Sequence, residues 1–108
     1  MSATFDKVKV LVSAGESRVS DHGLNEMRED RIDLSDVVAG IGQAVVVEDY
    51  PNYAKGPCVL CLQSDRDGKP LHIPWGLALR AGDVATIITA YRPDPARWSD
   101  DFLTRRPK

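Results

Sequence analysis

His22 and His72 are the only histidines in the chain. Imidazole is the ordinary side chain that gains and loses a proton near neutral pH. Cleaving an RNA phosphodiester without a metal needs a base for the 2′-OH proton, cations to steady the phosphorane, and an acid for the leaving 5′-oxygen. Two histidines with arginines can supply all three. In the run Pro70–Leu77, Leu71, Ile73 and Trp75 share one face of a strand, so His72 points the other way. If the apolar set meets the helices, His72 lies on an open face. His22 falls in the first turn of a helix, whose positive end favours an anion and disfavours imidazolium. The plain alternative is a half-buried strand histidine bonded to a neighbour, and a helix-start histidine without chemistry.

Tyr91 and Arg92 close the last apolar run. Alternation groups Ile87, Thr89 and Tyr91 on one face and Ile88, Ala90 and Arg92 on the other. Tyr91 can stack on a base and Arg92 can clamp a phosphate. Equally, Tyr91 can cap the core and Arg92 can pair with an acid. Arg28 and Arg31, three apart on a helix, are surface neighbours. They either aim at a phosphate or pair with Glu26, Glu29 or Asp30. Cys58 and Cys61 have the spacing of zinc and redox motifs. A four-ligand zinc site wants a second pair, and a redox cysteine wants a helix N-terminus. Both lie in a predicted strand, on opposite faces, and read as core fillers. Asp65 and Asp67 lack the remaining ligands of a calcium loop and read as turn residues. No metal and no cofactor fingerprint is expected.

The elements that must position these residues follow from pattern. Residues 5–12 alternate and predict a first strand. Ser20 can cap a helix over DHGLNEMREDR, with Leu24 and Met27 inward. Gly23 weakens that helix by about 1 kcal/mol relative to alanine, so close packing there is expected. Asp33 or Ser35 can cap a second helix over DVVAGIG, with Val37, Val38 and Ile41 inward. Strands follow over 44–50, 57–64, 70–77 and 84–92. Asp67-Gly68 marks a hairpin between the second and third of these. Pro74 cannot donate to a ladder, so its strand lies at an edge or carries a bulge. The predicted class is α+β, ordered β-α-α-β-β-β-β, with a largely antiparallel sheet, helices on one face and the other face partly open. The whole chain, 1–108, reads as one domain, with 104–108 frayed.

Composition narrows the function. There are 108 residues, 43% hydrophobic but only 6% aromatic, so aliphatic residues fill the core. No apolar run is long enough to span a membrane, and charges within the first apolar stretch predict no signal peptide. Two cysteines fit a reducing compartment, hence the cytoplasm. Net charge is −2, which argues against a strongly basic nucleic-acid surface. The charge is uneven, however. Residues 65–108 carry 8 basic and 6 acidic side chains, against 6 and 10 in residues 1–64.

The segments SDHGLNEMREDRIDLSDV, VVVEDYP, GKPLHIPWG and IITAYRPD, in that order, resemble a bacterial family of unknown-function domains placed beside the BrnT, RelE and ParE toxin–antitoxin group. The resemblance spans roughly residues 18–98. It implies a RelE-like fold and a ribonuclease toxin, or a relative neutralised by an antitoxin protein encoded nearby. It maps onto His22, Arg28, Arg31, His72, Thr89, Tyr91 and Arg92. The resulting expectation is an endoribonuclease in which His22, His72 and Tyr91 are catalytic and Arg28, Arg31, Thr89 and Arg92 bind RNA. The alternative is a non-catalytic module of the same fold that binds a partner protein or RNA.

Overall fold

A computed structural model describes residues 2–77 and 84–107. The chain opens on a helix, α1 (Ala3–Ser13), where alternation predicts a strand. Ser2 caps it, its hydroxyl accepting the Phe5 N–H at 3.0 Å. Phe5, Val8 and Val12 recur at helical spacing and are buried, while Val10 is 66% exposed. Val8, Val10 and Val12 also alternate, so both periods were present. Burial of the Phe5–Val8–Val12 stripe outweighs the weak helix propensity of valine. Gly15, at φ 78°, ends the helix. It donates to the Val12 carbonyl while Glu16 donates to that of Leu11.

The first strand, β1 (Ser17–Val19), therefore comes after a helix and is short. Next are α2 (Asp21–Glu29), α3 (Leu34–Ala39), a 3-10 turn over Gly40–Gln43, β2 (Val45–Tyr50), β3 (Cys58–Ser64), β4 (Pro70–Leu77) and β5 (Ala85–Ile87). The class is α+β, with three helices and a five-stranded sheet ordered β1-β5-β4-β3-β2. Among the described residues only the β1–β5 pair is parallel. No helix among the described residues is long and apolar enough to cross a membrane.

Ser20 caps α2 as expected, accepting from Gly23 N–H at 2.9 Å, and its own hydroxyl donates to the Ile88 carbonyl. A Cβ on Gly23 would sit 2.8 Å from that same carbonyl oxygen. The glycine is there because the helix start presses against the backbone following β5. Met27, Ile32, Val37 and Ile41 join the α1 stripe over Cys61, Leu71, Ile73, Trp75 and Ile87. The one polar thread in this layer is satisfied. The Trp75 indole donates to Gln63 Oε1 at 2.9 Å, and Gln63 Nε2 donates to the Val37 carbonyl at 2.8 Å.

β4 is not an edge strand: Pro74 lies between β3 and β5 and resolves its missing N–H through an irregularity. Trp75 faces Ile87 and His72 faces Tyr91, so Ile73 and Pro74 on one side meet Ile88, Thr89 and Ala90 on the other. The extra residue shifts the phase of the last run. Ala90 joins the core with Ile87, and Tyr91 turns to the far side of the sheet. The expected grouping of Ile87 with Tyr91 is thereby corrected.

Candidate functional site

The second face of the sheet carries His72, as the β4 alternation predicts. It is not open there. His72 is 0% exposed. The chain's own C-terminal segment crosses it. Trp98 lies edge-on to the imidazole with centroids 4.4 Å apart, and Tyr91 at 5.5 Å. Phe102, whose φ of 61° is left-handed, offers its carbonyl to His72 Nε2 at 2.9 Å. Ser99 N–H donates to the Thr104 carbonyl and Arg106 N–H to that of Arg97, so residues 97–106 form a strap. Arg105 ties the strap to β2, bonding both carboxylate oxygens of Glu48 at 2.9 and 3.0 Å. The tail expected to fray at 104–108 is thus anchored through Arg105. Lys108 lies outside the described residues.

A carbonyl can only accept, so neutral His72 keeps its proton on Nε2 and turns a bare Nδ1 towards the Tyr91 hydroxyl, 3.4 Å away. Burial, then the nearby Arg105 charge, lowers the His72 pKa; the Phe102 carbonyl and Glu48 pull it the other way. Burial raises the Tyr91 pKa, so the hydroxyl stays protonated. Arg105 holds the Glu48 carboxyl below the usual range, against a smaller effect of burial, and Tyr50 adds a hydrogen bond of 2.7 Å. Glu48, Tyr50, Tyr91 and Arg105 line one cleft of about 170 Å³.

Of the other expected site residues, Arg92 comes closest. It lines a neighbouring cleft with Tyr91 and Arg97. Its guanidinium is engaged by Asp65 at 3.0 Å and by the Asp30 carbonyl. Thr89 is half-buried just before Tyr91 and lines none of the clefts described here. Arg28 and Arg31 are exposed on and just after α2, outside both clefts. His22 is also apart: its side chain is 73% exposed and stands 3.6 Å from Glu26 on the same helix. The structure brings His72 together with Tyr91, and not with His22.

Residues 19–92 match the family described as Domain of unknown function (DUF4258). The chain belongs to this family. No curated protein and no solved structure matches it.

The DUF4258 segment contains His72, Tyr91 and Glu48 but stops short of Trp98 and Arg105. Sequence reasoning missed Glu48, Tyr50 and Tyr53. Every tyrosine of the chain lines the uncovered groove on this face. One signal was readable: Tyr50 and Tyr53 flank a proline turn at the end of a predicted strand. Cys58 was assigned to the core with Cys61. Only Cys61 is there; Cys58 lies half-exposed in the groove.

Proposed function

We propose that this DUF4258 domain is a metal-independent endoribonuclease of the toxin–antitoxin type, related in fold to RelE and BrnT proteins and acting in the cytoplasm. One observation carries the reading: Glu48, Arg105 and Tyr91 share a cleft, with the His72 imidazole directly behind the tyrosine hydroxyl. Glu48, ionised at neutral pH, takes the 2′-OH proton. The 2′-oxygen attacks phosphorus, the bond to the 5′-oxygen breaks, and Tyr91 gives that oxygen its proton. Arg105 steadies the charge on the phosphorane. His72 is a positioning residue: at rest its bare Nδ1 accepts from the Tyr91 hydroxyl, which turns that proton to the 5′-oxygen when the strand is bound. Solvent then restores the tyrosine proton and takes the one held by Glu48. The products are a 2′,3′-cyclic phosphate and a 5′-hydroxyl. This replaces the two-histidine pair, because His22 lines neither cleft.

The test is incubation of the full chain with labelled single-stranded RNA in the presence of a chelator. Cyclic-phosphate ends are expected. Glu48→Gln and Tyr91→Phe should each slow cleavage about 100-fold or more with unchanged circular dichroism. Intact RNA in the native reaction defeats the proposal. In cells, expression should arrest growth, and an antitoxin encoded nearby should relieve it.

A second reading has its own support. All three arginines that line the clefts with Tyr91 are already paired, Arg92 with Asp65, Arg97 with Asp94 and Arg105 with Glu48. A non-catalytic module that binds a partner protein or RNA would need no free cation there. It predicts a stable complex, no growth arrest, and no effect of Tyr91→Phe.

A further inference from the structure

Beyond the Glu48–Tyr91 cleft the groove continues. A patch lined by Tyr50, Cys58 and Pro74 leads on to Tyr53 and Ile88. Those last two also line a wider cleft of about 340 Å³ at the β1–β5 edge, together with Arg18 and Lys55. That volume is at the small end of ligand pockets. Its charge sets it apart. Among the described residues its lining has two cations and no acid, whereas the clefts around Tyr91 hold Glu48 and Asp94. The chain as a whole is acidic, at −2.

Arg18 Nε donates to the Thr86 hydroxyl at 3.3 Å, which pins the guanidinium beside β5. Among the described residues neither Arg18 nor Lys55 has an acidic partner. Beside them stands Tyr53, 53% exposed, on the turn after β2. Gly76 completes the floor. A Cβ there would meet Ile88 Cδ1 at 2.9 Å, so the bare backbone lets Ile88 lie flat across β4. An exposed aromatic ring with two cations and no acid suits a flat π-face joined to a phosphate.

We propose that this cleft seats a nucleotide of the RNA strand that is cut at Tyr91. Its base lies against Tyr53 and Ile88, and its phosphate lies between Arg18 and Lys55. The proposal rests on the ribonuclease reading and extends it to a flanking subsite that sets how long a substrate must be.

The test uses a fluorescent 2′-O-methyl RNA ten nucleotides long, which cannot be cleaved, and the full native chain. Affinity is read by anisotropy over a range of salt. Arg18→Ser with Lys55→Ser should lower the salt slope, since each phosphate contact contributes ~0.7 for single strands. Tyr53→Ala should weaken binding about tenfold and leave the slope alone. All three substitutions should leave cleavage of a dinucleotide unchanged, because it cannot reach the far cleft. Native affinity and slope in these variants would overturn the subsite while leaving the ribonuclease reading intact. Failure of the native chain both to bind the probe and to cut the dinucleotide would remove both.

Discussion

The indole of Trp98 stands at 84° to the imidazole of His72, ring centroids 4.4 Å apart. Solvent is excluded, and the histidine's remaining contacts are a carbonyl and a phenol. An imidazolium there would lose its hydration and would feel the nearby Arg105 charge. The strap that covers the ring thereby lowers its pKa.

Stability should follow from that. The folded His72 pKa is lowered, so between the usual unfolded value of about 6.5 and the folded value the unfolded chain binds more protons. The stabilisation is complete above about pH 6.5 and falls away as pH drops through the folded pKa. Urea midpoints should decline from about pH 6.5 downward, before the carboxylates titrate. In His72→Gln this first decline should be absent. An unchanged pH profile in that variant would place the effect elsewhere.

Arg105 holds the strap by Glu48 on one side and by stacking on Trp98 on the other, its guanidinium carbon 4.7 Å from the ring centroid. The ion pair is largely exposed and adds roughly 0.2–1 kcal/mol, with a similar amount from the ring contact. Arg105→Ala should cost about 1 kcal/mol in denaturant unfolding. It should also make Trp98 more accessible to acrylamide, while Trp75, fully buried, stays protected. Equal quenching before and after would mean the strap does not depend on Arg105.

The two thiols should separate under alkylation of the folded chain. Burial pushes Cys61 up to about 12 and raises Cys58 as well, with Asp49 adding to both. Cys61 is also out of reach, whereas Cys58 opens on the groove. Iodoacetamide at mildly alkaline pH should label Cys58 alone by peptide mass spectrometry. RNA bound in the groove should slow that labelling. Labelling at Cys61 first would contradict the assignment of faces.

Arg31 ends α2 at φ 54°, the conformation that favours glycine at this position. The Ile32 N–H closes the helix on the Met27 carbonyl at 2.8 Å. Arg31→Gly relieves a left-handed strain of roughly 1 kcal/mol and should raise the urea midpoint or leave it unchanged. A clear loss of stability would mean that the arginine side chain makes up for the strain.

How much of this was legible depended on which signals were local. The hairpin of β3 and β4 was readable because Asp67-Gly68 and alternation agree. The α2 cap and the tight packing at Gly23 were readable from residue type. The helix over Ala3–Ser13 was not, because its valines satisfy two periods at once and only burial decides. Tyr91 could be picked as a site residue, but its face could not be read. A one-residue slip opposite Pro74 reverses it, and slips leave no mark in composition. The strap was invisible for another reason: residues 97–106 are mostly polar and aperiodic. Trp98 amid charged residues was its one hint. Glu48 was overlooked because its partner Arg105 lies 57 positions away.

The parallel pairing of β1 with β5 joins Ser17–Val19 to Ala85–Ile87, near opposite ends of the chain. During synthesis the sheet's last ladder cannot form until most of the polypeptide has left the ribosome. Until then β1, made first, has nothing to pair with. Assembly is therefore paced by a long-range closure rather than by its helices. A nascent chain stalled before Ala85 would hold the β2–β3–β4 meander with an edge exposed on β4.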